Sequence, residues 1–128
     1  MEKKRILIID DESSLTQLCK MFLETMGDFT VCEENRGLTA WATAREFRPD
    51  LILLDCNLPD KNGFEIAAEL QADTELQAIP VVFFTGSVSK EEAATAGVHG
   101  RSPALAKPFQ PNELLECVSR ALGSSLVA

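Results

Sequence analysis

The 128-residue chain carries 12 Lys and Arg against 20 Asp and Glu, a formal net charge of −8. Its length suits one domain with one core, read as a single unit over 1–128 with 123–128 as a flexible tail. The acidity argues against direct nucleic-acid binding, which depends on Lys and Arg neutralising phosphates, and the apolar runs are too short to span a bilayer.

Taken in chain order, the basic start Met1–Arg5 leads straight into Ile6–Ile9, a segment too short for an export signal. Ile6–Ile9 is apolar throughout and rich in branched residues, as a strand buried on both faces should be. Leu15, Leu18, Cys19, Phe22, Leu23 and Met26 then recur at spacings of three and four, predicting a helix from just after Ser13 and Ser14 to just before Gly27. A shorter strand is expected at Thr30–Glu33 and a helix over Leu38–Phe47, with Pro49 beyond it. Leu51–Leu54 repeats the doubly buried strand pattern, and a third helix is predicted over Phe64–Ala72 after Gly63. Val81–Phe84 is another such strand, followed by a helix from Ser89 to about Ala96 or His99. A last strand, Ala104–Ala106, precedes a helix over Pro111–Leu122 with Pro in its first turn.

Five β-α repeats require crossover helices on both faces of a parallel sheet. The fold class is therefore α/β, a doubly wound five-stranded parallel sheet, in which ligands bind beyond the carboxyl ends of the strands. That rule selects Asp10 and Asp11, Asp55, Thr85 and Lys107. Each has an ordinary explanation alone: Asp11 favours a helix N-terminus, Thr85 suits a strand, and Lys107 is a solvated charge. Together, three carboxylates in one crevice repel unless a cation joins them. Hard oxygen donors suit Mg²⁺, and a carboxylate can accept a phosphoryl group covalently. The metal, Lys107 and the Thr85 hydroxyl could each engage one oxygen of that group.

In the segments Asp10-Asp11, Asp55-Cys56-Asn57-Leu58-Pro59-Asp60-Lys61-Asn62-Gly63, Thr85-Gly86 and Lys107-Pro108-Phe109, the chain resembles the receiver domain of bacterial two-component response regulators. Order and intervals match across essentially the whole chain. The resemblance implies a (βα)5 flavodoxin-like receiver fold. It implies that Asp55 accepts a phosphoryl group from a histidine kinase or a histidine phosphotransfer protein. Asp10, Asp11, Asp55 and the Asn57 backbone carbonyl would hold Mg²⁺, Lys107 would pair with the phosphoryl group, and Thr85 would move toward it. It further implies a cis Lys107–Pro108 bond, flanking roles for Asn57 and Ser87, and control of a downstream partner whose identity the sequence does not give. The cytoplasmic location is expected from the unpaired cysteine pattern and the short apolar start. Such a domain handles its own phosphoryl chemistry and turns over no external substrate.

Two features depart from the family. Ala104 occupies the position, three before the lysine, that usually carries Tyr or Phe, and the chain has no tyrosine. In Gly97–Pro103, either Ala96-Gly97 or His99-Gly100 could close the fourth helix; the former is preferred. These departures motivate an alternative, a receiver-like interaction module independent of phosphorylation. A phosphatase with an aspartate nucleophile is disfavoured because Asn57 stands where its acid would be, and a flavin site is disfavoured by the carboxylates after the first strand. Cys19, Cys32, Cys56 and Cys117 form no C-x-x-C pair and read as reduced thiols, Cys56 facing away from Asp55. His99 reads as a loop residue, and Trp41 and Phe47 as ordinary helix packing.

Overall fold

The computed structural model describes residues 3–85 and 104–123. It contains strands β1 (Lys4–Ile9), β2 (Phe29–Glu34), β3 (Leu51–Asp55), β4 (Val81–Thr85) and β5 (Ala104–Ala106). The described helices are α1 (Ser13–Met26), α2 (Ala40–Phe47), α3 (Gly63–Ala72) and α4 (Pro111–Ala121). The strands form one sheet in the order β2-β1-β3-β4-β5, and all four pairings are parallel. The helix expected after Val81–Phe84, with Ser87 and His99, lies outside the described residues.

The alternation of side chains along each strand feeds two separate cores. Leu7, Ile9, Ile52, Leu54 and Phe83 pack against Ala40 and Ala44 of α2 and Ile66 and Leu70 of α3. Ile6, Ile8, Leu51, Leu53, Val82 and Phe84 pack on the other face against Cys19 and Leu23 of α1 and Leu114 and Val118 of α4. Continuous apolar runs are thus needed because both neighbours of each position are covered. Fully burying each Leu or Ile contributes about 1.5–3 kcal/mol, so the central strands are the rigid frame on which loops can hold polar groups.

Helix ends follow local chemistry. Gly27 stops α1, and a Cβ there would lie 2.5 Å from the Phe29 ring. Asn62 caps α3 by accepting from the Phe64 amide at 2.7 Å, and Gln110 N donates to Glu113 Oε1 at 2.7 Å at the start of α4. The helix expected from Leu38 begins at Ala40. The amides of Gly37 and Leu38 donate instead to the two oxygens of Asp60, each at 3.0 Å.

Candidate functional site

β1 and β3 are neighbours at the reversal of strand order, with Ile9 beside Leu54. The chain emerging from β1 carries Asp10 and Asp11, and β3 ends on Asp55, so all three reach the same rim. One oxygen from each carboxylate lies within 4.8 Å of the others. Asp10 is fully buried, Asp55 is 6% exposed and Asp11 faces solvent.

Lys107, just beyond β5, reaches across to the same point. Its Nζ donates to Asp10 Oδ2 at 2.7 Å and stands 3.6 Å from Asp55 Oδ1. The ammonium lies 5.9 Å from the centroid of the Phe84 ring, which packs against Phe109. The Lys107–Pro108 bond is cis, as the resemblance implies. Backbone amides complete the cradle: Glu12 N donates to Asp10 Oδ1 at 3.0 Å and Asn57 N to Asp55 Oδ1 at 3.3 Å.

Burial is the largest influence holding the Asp55 carboxyl above its ordinary range, reinforced by the charge of Asp10 and opposed by Lys107. For Lys107, burial pulls downward, but the hydrogen bond it donates to Asp10 and the charges of Asp10 and Asp55 outweigh it and raise its pKa above the ordinary lysine value. One ammonium therefore faces Asp10 and Asp55, and Asp11 adds a third carboxylate to the cluster. All donors are hard oxygens, the set that suits a small divalent cation.

The β3–α3 loop is pressed onto the acid strand. Gly63 N donates to Cys56 O at 3.0 Å, and a Cβ on Gly63 would fall on the Asp55 carbonyl oxygen and 2.9 Å from Cys56 Cα. Only glycine permits that approach. Asn57 is exposed and forms an isolated bridge with Asn62. Thr85 is the last residue of β4, opposite Ala106 of β5, which places it at the same rim by strand position.

Sequence reasoning missed Asn35, just past the end of β2. Its Nδ2 donates to the Asp10 carbonyl at 2.7 Å and to Thr16 Oγ1 at 3.1 Å. The strand-end rule would have selected it had β2 been treated like the other strands. None of the four cysteines is in a disulfide. Cys56 belongs to the core beneath α2 and α3, and burial pushes the Cys19 thiol up to about 11. Trp41 is 41% exposed rather than packed inside; its Nε1 donates to Asp73 at 3.0 Å and Arg45 lies over its ring. Among the described residues, no helix is long and apolar enough to cross a membrane.

Residues 6–119 match the response regulator receiver domain. The chain is 33% identical over 120 residues to the DNA-binding response regulator MtrA of Mycolicibacterium paratuberculosis, covering 94% of this chain but 52% of that protein. It thus spans about half the length of such relatives. It is 30% identical over 122 residues to the chemotaxis protein CheY1 of Helicobacter pylori, covering 94% of this chain and 98% of that one. Among solved structures, it resembles the receiver domain of the sensor histidine kinase PA1611 from Pseudomonas aeruginosa, with a TM-score of 0.81 and 26% identity over 95% of this chain and 99% of that one. That structure has a magnesium ion coordinated in its active site cleft. A match of this extent, on a parallel sheet with an acid cluster at its reversal point, has one consequence: the chain belongs to the response regulator receiver domain family.

Proposed function

We propose that Asp55 is the phosphoryl acceptor of this receiver and that Asp10, Asp11, Asp55 and the Asn57 carbonyl hold Mg²⁺. The observation that carries the reading is a 6%-exposed carboxylate set among two more carboxylates and one ammonium at the strand ends. When bound, the ion neutralises phosphoryl oxygen charge and relieves repulsion among the carboxylates.

The chain's own groups supply the rest. An Asp55 oxygen attacks phosphorus as the P–N bond of a phosphohistidine breaks, and the imidazole leaves with the bonding electron pair. Ionised Asp55 is the competent nucleophile. Lys107, already 3.6 Å from Asp55, would move from Asp10 toward the arriving phosphoryl oxygens. The Thr85 hydroxyl would move toward the phosphoryl group and hydrogen-bond another of its oxygens. Water later returns the group as inorganic phosphate, so no external substrate is turned over. The donor would be a histidine kinase or a histidine phosphotransfer protein in the cytoplasm. A downstream protein or attached output domain would read the shift between inactive and active forms.

Intact mass after incubation with acetyl phosphate and Mg²⁺ tests this reading. One phosphoryl adduct is expected, absent in Asp55→Ala and with chelator. An adduct that persists in Asp55→Ala would move the acceptor elsewhere. No adduct, together with no beryllofluoride binding, would overturn phosphorylation at this site.

A further inference from the structure

The Asp10–Asp11 turn is supported from outside the acid cluster. Asp10 is held at four points: its N–H donates to Glu34 O at 3.0 Å, and its Oδ1 and Oδ2 accept from Glu12 N and Lys107. Its carbonyl accepts from Asn35 Nδ2 at 2.7 Å. That carbonyl belongs to the peptide joining Asp10 to Asp11. Fixing its direction fixes where the exposed Asp11 side chain leaves the backbone.

Asn35 is itself oriented. Its second contact is Thr16 Oγ1 at 3.1 Å, and that hydroxyl, fully buried on α1, lies 2.8 Å from Glu33 Oε1 and 3.1 Å from the Ser13 carbonyl. The amide face toward Asp10 is therefore the donor face, because the group it meets is an acceptor. A carboxylate of the same size could not make that bond and would turn an oxygen toward a carbonyl.

We propose that Asn35 is a positioning residue for the metal-binding turn, acting through the Asp10 carbonyl, with Thr16 setting its orientation. This rests on the Mg²⁺ reading given above. Partners one bond removed from metal ligands typically change affinity by about 10–100-fold when lost.

Mg²⁺ titrations followed by ¹H–¹⁵N NMR on the parent, Asn35→Ala, Asn35→Asp and Val118→Ala distinguish the possibilities. Dissociation constants should rise about tenfold in both Asn35 variants. Asn35→Asp is the sharper probe, because added negative charge alone would tighten cation binding. Val118→Ala loosens the distant α4 core and should leave the constant unchanged. Spectral dispersion without metal reports whether each variant is folded, and either Asn35 variant suffices. An Asn35→Asp constant within about twofold of the parent, or tighter, would overturn the role of Asn35 alone. So would equal weakening in Val118→Ala. Absence of Mg²⁺ binding in the parent would overturn this inference together with the metal reading.

Discussion

Asp55 is held where its charge is costly before any cation arrives. It is nearly buried, shares the rim with Asp10 and Asp11, and borrows Lys107 from a closer bond to Asp10. Burial first, and the Asp10 charge second, raise its pKa above the ordinary 3.8. A raised folded-state value means that the fold binds this proton more tightly than the unfolded chain does. The resulting stability is fully present below the ordinary value and is lost as pH rises through the folded one. In chelator, Asp55→Asn should therefore melt several degrees above the parent at neutral pH. The advantage should shrink toward about pH 4 as the parent's carboxyl protonates. Melting temperatures measured across that range decide it. A difference independent of pH would mean that Asp55 carries no electrostatic strain in the metal-free protein.

Asp60 does at the scale of elements what Asn35 does for the metal turn. It lies in the β3–α3 loop near Asn57, yet its two oxygens accept from Gly37 and Leu38 before α2, each at 3.0 Å. The Leu38 amide is the largest cause of a lowered Asp60 pKa, with burial opposing and the Gly37 amide assisting. The loops meet so closely that a Cβ on Gly37 would lie 2.9 Å from Lys61 Cβ and 3.0 Å from Asp60 Oδ1. Asp60→Ala should speed hydrogen exchange at Gly37 and Leu38 by roughly tenfold or more. Asp60→Asn keeps one acceptor oxygen and should protect one of the two amides. Unchanged exchange in Asp60→Ala would show that the turn stands without the carboxylate. The lowered pKa gives the pH dependence its sign: protection is present above the ordinary carboxylate value and fades as pH falls through the lowered one.

These bonds also show what a linear sequence reveals. Ile6–Ile9, Leu51–Leu54 and Val81–Phe84 are legible as central strands because burial on both faces leaves no room for alternation. Their ends then bring Asp10, Asp11 and Asp55 onto one rim. The start of α2 at Ala40, two residues past Leu38, is not legible, and neither is the bond from the Leu38 amide to Asp60, 22 positions later. Asn35 stands where the strand-end rule points, just past β2, but its bond to the Asp10 carbonyl spans 25 residues and leaves no periodic trace. Trp41 reads as ordinary helix packing, and its partners are surface ones: Arg45 lies over the ring and Asp73 accepts from its ring NH.

For the whole molecule, a net charge of −8 and a three-carboxylate rim predict two separable responses to salt. Any added salt screens general repulsion and should raise stability modestly. A cation bound at the rim adds a second term, because the unfolded chain does not assemble these ligands. At a hundred times the dissociation constant this linkage is worth about 2.7 kcal/mol, or roughly 10 °C in a domain of this size. Melting in MgCl2 and in NaCl at matched ionic strength separates the terms, the magnesium series rising further. Asp11→Ala removes an exposed carboxylate of the proposed metal site at little cost to the core, and it should abolish the excess while retaining the screening response. Equal curves for the two salts in the parent would assign the whole effect to screening and leave the rim without a metal role. An excess that survives Asp11→Ala would place the ion elsewhere.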